Sequence, residues 1–208
     1  MLQKIILCLI FGYLFGCFST GYVVGKLNKV DIRKYGSGNV GTTNALRTLG
    51  AKAGAITLLG DAIKAVIPII LVRLVLFSKY DNVELLALYT GLGVVIGHNY
   101  PVWLKFKGGK GIAATGGAMA AFDPLIIPVG LPLFVLIVAV TRYVSLGSLF
   151  IAILFPIWIL IRNPGQIHML IVALVFMILA FIKHRSNIKR LLNGTENKIG
   201  QKVKIDNK

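Results

Sequence analysis

The chain has 208 residues, of which 56% are hydrophobic and 14% charged, and its mean hydropathy of +0.80 excludes an ordinary soluble globule. Its net charge of +16 is gathered between and after apolar runs, the pattern of basic membrane-flanking loops. Base-stacking aromatics do not interleave with these cations, so nucleic acid is not a partner, and the scattered His and Cys residues suggest neither a metal nor another cofactor.

The predicted class is all-α: one polytopic membrane domain over 1–208, with spans at about 5–26, 53–77, 85–103, 111–122, 125–141, 144–161 and 166–182. Span one carries Cys8 and Cys17, nine positions apart on one helix and poorly placed to bridge. It also carries Gly12-x-x-x-Gly16 and Gly21-x-x-x-Gly25, spacings that allow close helix approach.

The basic loop that follows contains Tyr35-Gly-Ser-Gly-Asn-Val-Gly-Thr-Thr-Asn-Ala-Leu-Arg47. Its glycines, Ser37, Asn39, Thr43 and Asn44 supply small hydrogen-bonding groups, and Arg47 offers a fork that suits phosphate. The alternative is a turn with a helix cap. Span two places Asp61 and Lys64 at i and i+3, an apt spacing for a buried pair or for a site.

Span three leads into Gly97-His-Asn-Tyr-Pro-Val-Trp-Leu-Lys-Phe-Lys-Gly-Gly-Lys-Gly111. Lys107 and Lys110 flank Gly108 and Gly109, whose backbone N–H groups could converge on an anion; the alternative is a solvated basic turn. The stretch is not a Walker A loop, because Leu104 and Gly111 occupy two of its required positions. His98 lies one turn inside the span, where a histidine is either structural or part of this loop's site.

Residues 111–122 give about 18 Å of helix against a hydrocarbon core of about 30 Å, so they form a short span, a re-entrant piece or part of a bent one. Charge decides for seven crossings. That count places the loops around Arg47, Lys110 and Arg142 and the tail 183–208 on one side, with the N-terminus outside and the C-terminus cytoplasmic. The same side receives Ser145, Ser148, His184 and Asn187, whereas His168 falls at the outer end and reads as structural. Glu196 and Asp31 are the acids within reach of this mouth.

Three stretches together resemble the bacterial acyl-phosphate:glycerol-3-phosphate acyltransferase family, PlsY: Gly36 to Asn44 with Arg47, Gly97 to Gly111, and His184 to Leu191 with Gly194-Thr-Glu196. Thr42 departs from the family's usual alanine, and Ala114 from a usual threonine. The resemblance implies transfer of a fatty acyl group from acyl phosphate to the 1-hydroxyl of glycerol 3-phosphate. It implies a multi-pass enzyme of the bacterial cytoplasmic membrane, the cell inner membrane, whose site faces the cytoplasm among membrane lipid. A soluble enzyme that makes acyl phosphate is the implied partner. Arg47 and Lys110 would clamp glycerol 3-phosphate. Ser37, Asn39, Thr43, Asn44 and the Gly108–Gly109 backbone would cradle the acyl phosphate, with Lys107 beside them and Ser145 or Ser148 adding a donor. His184 and Asn187 would orient the hydroxyl, and His98, His184 or a substrate phosphate oxygen would take its proton. A membrane transporter for an organic phosphate would use similar cations. The gathering of polar residues at one mouth favours the enzyme.

Overall fold

The computed structural model describes residues 1–201; Lys202, Lys204 and Lys208 of the basic tail lie outside the described residues. The described chain is helical: α1 (Leu2–Gly16), α2 (Thr20–Leu27), α3 (Thr42–Leu49), α4 (Ala51–Leu71), α5 (Val83–Asn99), α6 (Ile112–Phe122), α7 (Ile127–Thr141), α8 (Val144–Arg162), α9 (Ile167–Lys183) and α10 (Arg185–Leu192).

Four stretches are long and apolar enough to cross a membrane: Leu2–Leu27, Ala51–Leu76, Pro124–Thr141 and Val144–Arg162. A fifth appears if α9 and α10, bent by 62°, are counted as one span. α5, with 17 residues, and α6, with 11, are shorter. The expected span 85–103 therefore ends early. The helix stops at Asn99, because Tyr100 leaves helical geometry ahead of Pro101 and a separate turn, Val102–Leu104, follows. The expected span 5–26 starts at Leu2 and breaks at Cys17–Ser19 between α1 and α2.

α5 is the central helix, buried on most of its faces. Small residues make this placement possible. A Cβ at Gly12 or Gly16 of α1 would strike the carbonyl oxygens of Thr90 and Val94, and one at Gly93 or Gly97 of α5 would strike those of Leu9 and Tyr13. The two backbones therefore touch along the whole seam. Gly117 repeats the device between α6 and the Ala62 carbonyl of α4. On the other side, Phe155 of α8 meets Phe176 of α9 edge-on at 5.2 Å. By contrast α7 leaves Leu131, Val135, Leu136 and Val140 exposed, an apolar face suited to lipid.

This packing fixes the site from below. The α1–α5 seam sets the end of α5, with His98 and Asn99, beside the break at Cys17–Ser19, and the Tyr13 hydroxyl donates to the Tyr100 carbonyl at 3.0 Å. Loops from α2, α5 and α9 then meet over the same end.

Candidate active site

The first loop is wound around one side chain. Asn44, 1% exposed, donates through Nδ2 to the carbonyls of Ile32 (2.9 Å), Tyr35 (3.2 Å) and Asn39 (2.8 Å) and accepts from the Ser37 N–H at 2.9 Å. Asn39 Oδ1 accepts from the Gly41 N–H at 2.8 Å. Gly36 and Gly38 take positive φ, which lets the chain curl this tightly. Asn44 thus organises the cradle, and its amide is not free to hold a phosphate as expected. Arg47 lies one turn further along α3. Its guanidinium reaches the Asn197 carbonyl at 3.3 Å, and among the described residues its buried Nε has no partner. Burial lowers its pKa, with Arg190 adding repulsion and Glu196 opposing.

The second loop returns to the end of α5. Lys105 and Phe106 adopt left-handed φ, and the Gly108 and Gly109 N–H groups bond the carbonyls of Asn99 (3.2 Å) and His98 (3.0 Å). These two donors are therefore engaged, contrary to the anion cradle expected of them. The glycines serve close approach instead: a Cβ at 108 would strike the His98 carbonyl, and one at 109 the His98 Nε2. Lys107 is exposed and lines neither cavity described below, which also departs from expectation. Lys110 turns inward and donates to Asn187 Oδ1 at 2.6 Å.

The third contribution comes from the bend between α9 and α10. His184 sits at that bend and its Nδ1 contacts the Ala180 carbonyl at 2.8 Å. A carbonyl only accepts, so Nδ1 carries the proton and Nε2 keeps a lone pair. Asn187 donates to Glu196 Oε1 at 2.7 Å, Ser145 donates to the same oxygen at 2.9 Å, and Arg190 Nε bonds Oε2 at 2.7 Å. Glu196 thereby ties α8, α10 and the tail together, a hub that sequence reasoning placed near the mouth without assigning it a role. Burial pushes its carboxyl up, but the bonds from Asn187, Arg190 and Ser145 outweigh this and hold its pKa below the ordinary value. Ser148 donates back to the Val144 carbonyl at 2.8 Å.

Electrostatics at this end follow from crowding. Burial, with the positive charge of Arg190, Arg47 and Lys183, brings the Lys110 pKa down to about 8 although Glu196 opposes the shift. Burial and Lys110 bring His184 down to about 4, so its ring is neutral near pH 7.

Two cavities meet here. An outer one of about 560 Å³ is polar, lined by Ser37, Asn39, Tyr100, Lys110, Lys183 and Arg185 among others. An inner one of about 550 Å³ brings together Ser37, Asn39, Thr43, Asn44, Arg47, His98, Lys110, Ser145, Ser148, His184 and Asn187. Beyond this polar end it continues between α4, α6, α7 and α8 over Leu58, Val66, Met119, Leu131, Phe134 and Ile151. Ser37, Asn39, Lys110, Arg190 and Asn197 line both. Asp61 also lines the inner cavity, and Lys64 lies against it at 2.9 Å.

A cation-rich mouth opening onto an apolar groove defines a helical membrane protein built for an anionic amphiphile. The family described as glycerol-3-phosphate acyltransferase matches residues 6–194, and the chain belongs to that family. It is 47% identical over 201 residues to the glycerol-3-phosphate acyltransferase of Clostridioides difficile (strain 630), covering 95% of this chain and 96% of that one. It is 45% identical over 202 residues to that of Thermoanaerobacter pseudethanolicus, with coverage of 96% and 98%. Among solved structures it is similar to PlsY (YgiH), an integral membrane glycerol 3-phosphate acyltransferase. The glycerol 3-phosphate form superposes with a TM-score of 0.86 at 36% identity, over 94% of this chain and 96% of that one. The lysophosphatidic acid form gives 0.83 at 35% identity, over 95% and 96%.

Proposed function

We propose that this chain moves a fatty acyl group from acyl phosphate to the 1-hydroxyl of glycerol 3-phosphate, giving lysophosphatidic acid and phosphate. The observation that carries the reading is the inner cavity, whose polar end holds Arg47, Lys110, His184 and Asn187 and whose remainder is apolar and shaped for an acyl chain. Acyl phosphate is already activated, so no covalent nucleophile is required. The protein's work is to hold two anions together and aligned.

Arg47 and Lys110 clamp the glycerol phosphate and offset the repulsion between substrates. Ser37, Asn39 and Thr43 face the acyl phosphate, with Ser145 and Ser148 at the opposite wall. Asn187, fixed by Glu196 and by Lys110, holds the attacking hydroxyl near the His184 Nε2 lone pair. The hydroxyl oxygen bonds the acyl carbon, the carbon–oxygen bond to phosphate breaks, and the proton passes by way of His184 or directly to the departing phosphate.

The proposed topology has seven crossings in the bacterial cytoplasmic membrane, with the N-terminus outside and the site and basic tail in the cytoplasm. The basic loops around Arg47, Lys110 and Arg142, gathered at one end, support it. α6 then makes a short crossing that begins in the Gly108–Gly111 loop. A soluble acyl-phosphate-producing enzyme would supply the donor. Purified protein offered acyl phosphate, acyl-CoA and acyl-carrier protein in parallel should form lysophosphatidic acid from acyl phosphate alone. Product from a thioester instead, or liposome flux of glycerol 3-phosphate without any donor, would overturn the reading.

A further inference from the structure

Asp61 and Lys64 are the charged pair within α4 that the reaction scheme leaves without a task. They are 1% and 5% exposed, in the middle of an apolar helix, where an unpaired charge is costly. Their surroundings are specific. An ammonium has three N–H donors and no acceptor. Lys64 Nζ donates to the Phe18 carbonyl at 2.6 Å, in the break between α1 and α2, bonds His98 Nδ1 at 2.9 Å, and forms an ion pair with Asp61 Oδ1 at 2.9 Å. Asp61 Oδ1 also accepts from the Thr20 hydroxyl at 3.0 Å. Its distance to His98 Nδ1 is 3.7 Å, beyond hydrogen-bond reach, so the partner of that ring nitrogen is Lys64 and not the carboxylate.

This has a consequence for the ring. A nitrogen that accepts from an ammonium has no proton of its own. The proton of a neutral imidazole then sits on the other nitrogen. In His98 that nitrogen, Nε2, abuts Gly109 beside Lys110, and the residue lines the inner cavity. His184 is the reverse case, with the proton on Nδ1 and a lone pair on Nε2. The site therefore holds one ring of each kind.

We infer that Lys64 is a positioning residue, held by Asp61 and the Phe18 carbonyl, which fixes His98 in the Nε2–H form and makes that ring a hydrogen-bond donor to an anionic substrate oxygen, not a base. The acyl-transfer reading enters only in the nature of the oxygen; the ring's proton location stands apart from it.

Nitrogen-15 NMR of the full chain in lipid nanodiscs reads the proton location directly. The chain has three histidines, so His98→Gln and His184→Gln assign the spectrum. The expected result is a protonated Nε2 and a bare Nδ1 at His98, with the opposite at His184. A protonated Nδ1 at His98 would overturn the inference. Because Lys64→Met alone strands a buried carboxylate, the pair Asp61→Asn, Lys64→Met is made together. It should release His98 to a mixture of both forms; an unchanged pure Nε2–H form would show that Lys64 does not set it.

Activity supplies a second reading. Glutamine places an amide N–H near the position of Nε2, and asparagine near that of Nδ1. Loss of a preorganised donor costs roughly a hundredfold in turnover, so His98→Asn should fall by about that factor while His98→Gln stays within about tenfold of the parent. Equal losses in the two variants would remove the donor role. If the parent chain itself makes no product, the acyl-transfer reading fails and the NMR result is untouched.

Discussion

Asn44 separates two meanings of a polar residue in a phosphate-like loop. Replacing it with aspartate keeps the shape and the oxygen that accepts from the Ser37 N–H, but removes the donor shared by the carbonyls of Ile32, Tyr35 and Asn39. Three carbonyls lose this donor, although that of Tyr35 keeps the Gly38 N–H at 3.0 Å and that of Ile32 the Tyr35 N–H at 3.4 Å, and a charge enters a site that is 1% exposed. At about 0.5–1.5 kcal/mol net per bond, the loop loses about 2–4 kcal/mol, with carbonyls that reach water at the low end. This corresponds to a roughly 30-fold to several-hundred-fold easier opening of residues 32–41. Hydrogen exchange measures it: the Ser37 and Gly41 amides should exchange faster by that factor in Asn44→Asp and Asn44→Ala, and activity should fall in both as Arg47 loses its seat. If exchange is unchanged while substrate affinity collapses, Asn44 is a direct phosphate ligand and the argument from its four bonds is refuted.

With a Lys110 pKa of about 8, the free enzyme loses this cation as pH rises through that value, so kcat/KM for glycerol 3-phosphate should decline above about pH 8; a flat profile well beyond it would contradict the assignment. Arg47→Ala and Lys110→Ala should each lose about 2–5 kcal/mol in kcat/KM, while His168→Ala, at the start of α9 against Tyr89 and lining neither cavity, should be nearly silent in the same assay. A Cβ at Gly116 meets open space where the residue lines the inner cavity, so Gly116→Leu should turn preference toward shorter acyl phosphates, by about fourfold in kcat/KM per methylene displaced, and an even loss at all chain lengths would argue against an acyl groove there. Gly97→Ala drives a methyl into the Tyr13 carbonyl and should lower stability in detergent by about 1–3 kcal/mol, read as a fall in melting temperature.

What the sequence disclosed and what it hid divide along local and non-local lines. Apolar runs and Gly-x-x-x-Gly spacing are local, and they led to the helices and to a close approach at Gly12 and Gly16, but not to α5 as the partner, while Gly21 and Gly25 meet the loop carbonyls of Val40 and Val30 instead. Arg47, Lys110, His184 and Asn187 stood out because they fall in the three stretches that resemble the acyltransferase family, and the fold brings them to one cavity. The Gly108 and Gly109 donors misled, since only the folded loop shows them bonded to α5 carbonyls. Asp61 and Lys64 were visible as a pair at i and i+3, but their third partner, His98, lies 34 residues beyond Lys64. Glu196 was visible as an acid within reach of the mouth, but it had no role until three donors from two helices closed on it. The end of α5 fell short of its expected limit because hydropathy continues through Val102 and Trp103, whereas backbone geometry does not.

The junction of the outer and inner cavities at Lys110 bears on how the products part. One basin is wet and the other is oily, and a two-headed molecule finds its proper medium on either side of the same lysine. Under the proposed reaction, inorganic phosphate would drain outward to water, while the new lipid would slide sideways past α7 among its own kind. Neither leaving species would then have to cross a medium that repels it.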